Sequence, residues 1–201
     1  MQSKAYKGEF GYIKYRKQVA IIRTAICFVV AVGLYVIGLI FWGSQKNILS
    51  IVAALGCLPT GWSAVNLVMM LKAGYCSDED HAKIEAHSGG LLINYDLVIT
   101  SYETNYNINA STVLEQNICM YTANKTMDLM DCEKHIKKMI AQSGYSSYSI
   151  KIFTDIDKFC DRLDQLEKLR ADRGIDPKAI EDEWVPGTVQ TPAGVLQSIS
   201  L

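Results

Sequence analysis

Val19–Trp42 reads VAIIRTAICFVVAVGLYVIGLIFW, and five residues later Ile48–Leu71 reads ILSIVAALGCLPTGWSAVNLVMML. The first run carries one charge, Arg23, a turn inside its start; the second carries none. At 1.5 Å of rise per residue, about 20 apolar residues cross a bilayer's hydrocarbon core. Both runs meet that length. Arg23 lies close enough to the end of the first for its side chain to snorkel to the headgroups. Joined by Gly43–Asn47, the two spans (19–42 and 48–71) are expected to form an antiparallel transmembrane hairpin over 19–71. A signal peptide is the competing reading of the first run. That run exceeds the usual apolar core of such peptides, and no small-residue cleavage site follows it. A buried helical hairpin of a soluble protein is the other alternative, and two runs of this length with Arg23 as their one charge argue against it.

Orientation follows from lysine and arginine near the span ends. Lys4, Lys7, Lys14, Arg16 and Lys17 precede the first span, with Glu9 opposing, whereas the connection holds Lys46 alone. The basic side is expected to stay in the cytosol. An even number of spans returns the chain to that side, so the expected localisation is the cell membrane, multi-pass, with the N-terminus and the C-terminal domain cytosolic. Trp42 would then be an anchor at the outer interface. The leader, residues 1–18, has two readings. Tyr6, Phe10 and Ile13 at helical spacing suit a short helix on an anionic leaflet, while Gly8 and Gly11 favour a flexible basic segment.

Within the second span Ala53, Cys57 and Gly61 recur every four residues, a small-residue seam that lets helices approach closely. The expected partner is the first span, through Gly33 and Gly38, or a second copy of the chain. Pro59 removes one backbone hydrogen bond and is expected to kink the helix. Thr60, Ser63 and Asn66 suit interhelical hydrogen bonds better than a polar path.

The remainder holds nearly all the acidic residues, although the chain as a whole is 49% hydrophobic with a formal net charge of -1. That balance gives no electrostatic footprint for nucleic acid, and none is expected as a partner. Ser77 with Asp80 three positions on reads as a capping box opening a helix that stops at Gly89-Gly90. Leu91, Ile93, Tyr95, Leu97 and Ile99 alternate, as do Tyr106, Ile108, Ala110, Thr112 and Leu114; each set is expected to face one way along a strand. Ile118–Ala123 is a third strand, and short turns make the three an antiparallel meander. A helix follows over 128–143, then a strand over 148–153. Thr154 and Asp157 open a last helix with the stripe Ile156, Phe159, Cys160, Leu163, Leu166 and Leu169, closed by Gly174. The fold class is therefore a membrane protein: an α-helical transmembrane hairpin followed by a small α+β domain, α-β-β-β-α-β-α, over 76–174. A short helix from Asp176-Pro177 and a flexible tail complete 175–201, with disorder or a docked strand beyond Trp184.

This element order resembles the core of the restriction-endonuclease-like nucleases. That family places an acidic residue on the second strand and an acidic-x-lysine triplet on the third. Here the second strand offers Asn107 and Asn109, and in ICMYTANK Lys125 has no acidic residue two positions before it. Glu85, on the preceding helix, is the one residue that carries over. The resemblance implies a relative without the catalytic acids, and fold analogy supplies no function.

No catalytic residue set is read from the sequence, and no cofactor. His81 and Glu85, four apart on a helix, are the metal-ligand candidates. Zinc needs three or four ligands, and His87 sits far around the wheel, so a solvated face is the simpler reading. The six cysteines form no C-x-x-C pair. Asn109-Ala110-Ser111 and Asn124-Lys125-Thr126 match the glycosylation triplet, unused on a cytosolic domain. The expected partners are the lipid bilayer and either a protein bound by the α/β domain or a second copy bound through the spans. The architecture resembles two-span bacterial membrane proteins. The functional expectation is a membrane-tethered interaction or regulatory module; a small oligomeric channel or transporter accessory subunit, and a divergent nuclease, are the alternatives.

Overall fold

The computed structural model describes residues 5–43, 47–101, 104–185 and 188–201. Lys4, Ser44, Lys46, Glu103 and Pro186 lie outside them, as does the side chain of Trp42. The chain divides into two compact units: one built from 13–73, the other from the leader up to Tyr12 together with Gly74–Leu201.

The first unit is two helices, α1 (Tyr12–Trp42) and α2 (Ile48–Lys72), each long and apolar enough to cross a membrane. Asn47 caps α2, its side chain accepting from Ser50 N. The helix runs on through Pro59. Three close pairs, Thr24 with Ser63, Ala31 with Gly56 and Gly38 with Leu49, step forward on one helix as they step back on the other, so the two run antiparallel.

The second unit is a four-stranded sheet in the order β1 (Ile93–Thr100), β2 (Asn105–Leu114), β3 (Asn117–Tyr121), β4 (Ser149–Phe153). The first three strands are an antiparallel meander; β4 returns parallel to β3. That return requires a crossover, and α4 (Leu129–Gln142) supplies it. Asp128 starts α4 by accepting from Met130 N and Asp131 N. α3 (Asp78–Ser88) precedes the sheet, with Ser77 accepting from Asp80 N as the capping box requires. α5 (Ile156–Arg173) follows it, capped by Asp155 and closed by Gly174 in the left-handed region at φ 63°. On β3, Ile118 and Met120 join one core with Cys132, Ile136 and Ile140 of α4. Cys119 and Tyr121 join the other, with Ile84 of α3 and Phe159, Leu163 and Leu166 of α5. Alternation on one strand thus places helices on both faces, and the domain has three layers.

Three expectations need correction. First, β1 and β2 do not keep one apolar face. Ile93 and Tyr95 pack on the α3/α5 side, whereas Leu97 and Ile99 pack on the α4 side; Ala110 and Leu114 are likewise separated from Tyr106 and Ile108. The switch falls where the ladder skips the positions of Asp96 and Asn109. Asp96 has φ 56°, a left-handed conformation that aspartate tolerates better than most residues. One unpaired, locally twisted residue on each strand reverses the parity of both, as a bulge does.

Second, the tail is structured rather than flexible, and of the two alternatives beyond Trp184 the docked strand is met only at its last residues. α6 (Pro177–Asp182) starts at Asp176 as read, but α7 (Pro192–Ser198) was not foreseen. Thr191 caps α7, and Val195 and Leu196 are buried in the α4-side core. Ser200 then bridges Ile99, and Leu201 N donates to Val98 O at 2.8 Å. Burying Val195 and Leu196 stabilises by about 1.5–3 kcal/mol each, which offsets part of the cost of ordering the segment.

Third, the leader is neither a surface helix nor free. Helix α1 begins only at Tyr12, and Tyr95 N donates to Gly8 O at 2.7 Å along the outer edge of β1. Gly8 has φ 90° and Gly11 φ 83°. The two glycines thus break the helical periodicity of Tyr6, Phe10 and Ile13 while letting the chain follow the strand.

Candidate functional site

The segment that leaves α2 is held residue by residue. Gly74 N donates to Asn107 Oδ1 at 3.0 Å, Asn109 Nδ2 donates to Tyr75 O at 2.9 Å, and Cys76 N donates to Asp96 Oδ1 at 2.7 Å. The leader reaches the same carboxylate from its own side, Gly11 N donating to Asp96 Oδ2 at 3.1 Å. Asp96 is only 2% exposed and Asn109 only 5%. Buried polar groups need hydrogen-bond partners, and here main-chain groups of the leader and of 74–76 are among those partners. Asn109 Oδ1 also accepts from Ala123 N at 2.8 Å. The skipped pair is what points both side chains at the connecting segments.

Beside this lies an aromatic slot filled by Phe10. Its ring stacks on His81, centroids 3.8 Å apart, and meets Tyr95 edge-on at 5.9 Å. Tyr95 OH donates to Glu85 Oε1 at 2.7 Å, and His81 Nε2 stands 3.8 Å from that oxygen. Burial, reinforced by the Glu85 carboxylate, pushes the Tyr95 phenol far above its ordinary range, so it stays a proton donor. His81 and Glu85 are thus brought together as the helical spacing predicts. Among the described residues, however, no three metal-ligating side chains converge. His87 turns away to Asp164, with Nδ1 2.9 Å from Oδ1, and joins α3 to α5. The slot holds an aromatic ring in place, and a pair without a third donor does not suit zinc.

Asn107 and Asn109 spend their side chains on the main chain of 74–75 and Ala123. Glu85 is engaged with Tyr95. The triplet at Asn109 is buried, while Asn124 closes a turn, its Oδ1 accepting from Thr126 N at 3.1 Å.

In the two-helix unit the seam divides. Ala53 is buried and Gly56 faces Ala31, its would-be Cβ 3.6 Å from the alanine methyl. Cys57 is exposed, and neither Gly61 nor Gly33 has a neighbour within 4 Å of where a Cβ would sit. The intramolecular contact therefore shares Ala53 with the expected line and continues through Gly56 instead of Cys57 and Gly61. Ser63 is its polar centre: Thr24 Oγ1 lies 2.9 Å from Ser63 Oγ, and Arg23 Nε donates to that oxygen at 3.2 Å. Thr60 bonds its own helix at Gly56 O.

Of the basic leader residues, Lys7 Nζ donates to Ser200 O at 2.6 Å within the domain, and Lys17 Nζ donates to Ala73 O at 2.8 Å, a cation at the C-terminus of α2. Lys14 and Arg16 lie on the first turns of α1. In the domain, Cys119, Cys132 and Cys160 are buried. Burial raises all three thiols, Cys132 to about 12, so they are poor nucleophiles.

Asp96 and Phe10 were missed from sequence. The available signal was a charged residue inside the apolar run INYDLVIT, and two asparagines on the neighbouring strand, each of which demands a partner once the strand is buried. The chain matches no protein-family model, no curated protein and no solved structure.

Proposed function

We propose that the chain is a two-span integral membrane protein that presents its α/β domain at the cytosolic face as an interaction or regulatory module. The observation that carries this reading is the outward aim of the apolar side chains on α1 and α2. Only 11% of the apolar stretch of each helix is buried, and Phe41, Ile48, Leu58 and Trp62 are 72–79% exposed. A core helix of a soluble protein hides such residues. A helix apolar all round with its side chains outward needs a hydrocarbon environment. Lys7 ahead of α1, with Lys14, Arg16 and Lys17 in its first turns, favours the cytosolic side for both ends of the pair.

For the domain, the sheet edges support interaction over catalysis. The β1 edge is covered by Gly8 and by Ser200–Leu201, whereas among the described residues β4 is the strand at the other end of the sheet, the edge at which a partner strand would add. Asparagines in place of the acids argue against nuclease chemistry. The second reading, a self-associating membrane protein, draws on the exposed half of the seam at Cys57 and Gly61. It predicts an oligomer in mild detergent that Gly61→Leu disrupts.

The membrane reading is tested with Trp62 as sole tryptophan, in a Trp42→Phe, Trp184→Phe background reconstituted into vesicles. Lipids brominated in the acyl chain should quench its emission and aqueous iodide should not. The reverse pattern would place α2 in water and end the proposal.

A further inference from the structure

We propose that the depression of about 390 Å³ beside the Phe10 ring binds a lysine-bearing peptide, its ammonium held by Glu9 and Glu85 and a main-chain carbonyl held by Asn94. The site lies wholly within the α/β unit, so it stands whichever side of a membrane that unit faces. Asn94 lines the depression and is only 3% exposed, yet among the described residues its Nδ2 meets no acceptor. Its Oδ1 is engaged, accepting from Gln197 Nε2 at 2.8 Å. A buried amide donor calls for an acceptor, and a peptide carbonyl is one. The opposite requirement stands across the strand. Ile93 and Tyr95 pack toward α3 and α5, so by alternation Asn94 points to the other face, where α7 carries Gln197. On the α3 face, Tyr95 OH occupies Glu85 Oε1, whereas among the described residues Oε2 meets Ser88 Oγ alone, at 3.5 Å, longer than a good hydrogen bond. Glu9 adds a second carboxylate to the same depression, and Lys7 on its wall turns its ammonium to Ser200 O. Phe10 and Tyr95 set aromatic rings beside the acids, and such rings attract a cation. A ligand that satisfies both faces carries a cation and an acceptor several bonds apart. A lysyl residue within a peptide has that form; a simple amine lacks the acceptor, and a glutamine peptide lacks the charge.

Fluorescence anisotropy of a dye-labelled acetyl-Gly-Lys-Gly-amide, with the full chain in phosphatidylcholine nanodiscs, tests the site. This lipid has no net charge, so it does not itself recruit the cation. Unlabelled lysine peptide should displace the probe, while the Gly-Gln-Gly analogue and butylamine should each need about tenfold higher concentration or more. Glu85→Gln keeps an acceptor for Tyr95 OH and removes the charge, and Glu9→Gln does the same for Tyr6 N. Each should weaken the lysine peptide by about tenfold. No binding of the lysine peptide, equal competition by either other compound, or unchanged affinity in either variant would overturn the assignment. Should Glu85→Gln lower the denaturation midpoint, the exposed Glu9→Gln and the three compounds on the wild-type chain decide.

Discussion

Asp96 and Asn109 occupy opposite positions on β1 and β2 yet are skipped by the ladder, and both turn their side chains to residues 75–76. Asn109 does so as donor and acceptor at once, to Tyr75 O and from Ala123 N. Asn109→Asp keeps the size and the acceptor but cannot donate. It is expected to destabilise the domain by about 1–3 kcal/mol, the cost of a buried group left unpaired, and to confer no nuclease activity although it supplies an acid on the second strand. Thermal denaturation of the two proteins in the same detergent checks this. An unchanged midpoint would mean that the Tyr75 contact contributes nothing.

Gly8 is the leader residue least able to change. A Cβ there would stand 2.7 Å from Gln197 Nε2 and 2.9 Å from Asn94 Oδ1, at φ 90°. Gly8→Ala combines a clash with a backbone conformation that alanine avoids, so the expected loss is about 1 kcal/mol or more. Limited proteolysis near the leader should accelerate; equal cleavage rates would contradict the docked leader.

Leu196 is fully buried in the α4-side core although it lies only five residues before Leu201. Leu196→Ala should cost about 2–5 kcal/mol, as core truncations do. A tail without a structural role would tolerate the change, and an unaltered denaturation midpoint would return 190–201 to that status.

Glu167 accepts from Gly90 N at 3.1 Å and from Arg170 Nε and Nη2 at 2.8 and 2.7 Å. The Arg170 hydrogen bonds, more than the Gly90 amide, hold its carboxyl below the ordinary glutamate range. A depressed value in the fold means that the stabilisation is present at neutral pH and lost as pH falls through that value. Wild type should therefore exceed Glu167→Gln in stability at pH 7, and the gap should close on acidification below the ordinary glutamate range. A gap independent of pH would assign the effect to packing.

Much of the fold was legible because its signals are local. Apolar length marks α1 and α2, and Ser77, Asp128, Asp176 and Gly174 mark helix ends by hydrogen bonding within a few residues. The face switch in β1 and β2 was hidden because period-2 alternation continues unbroken in the sequence across Asp96; only pairing across strands reveals the skipped position. α7 has a local signal in Thr191-Pro192, a cap followed by proline at the first turn, but the burial of Val195 and Leu196 depends on packing in the α4-side core, which no local spacing encodes. Of the site, His81 and Glu85 were visible as a helical pair. Their role was not, since it depends on Phe10, seventy-one residues earlier in the chain, arriving by a route that no spacing rule encodes.

Cysteine accessibility in intact cells bears most directly on the central claim. Ser44→Cys lies in the connection between α1 and α2, and Ser146→Cys lies at an exposed turn after α4. The wild-type background is low in the domain, where Cys76, Cys119, Cys132 and Cys160 are buried. With a membrane-impermeant thiol reagent, Ser44→Cys should label and Ser146→Cys should label only after lysis. Labelling of Ser146→Cys in intact cells, with Ser44→Cys protected, would place the domain outside and contradict the orientation on which the proposed function rests.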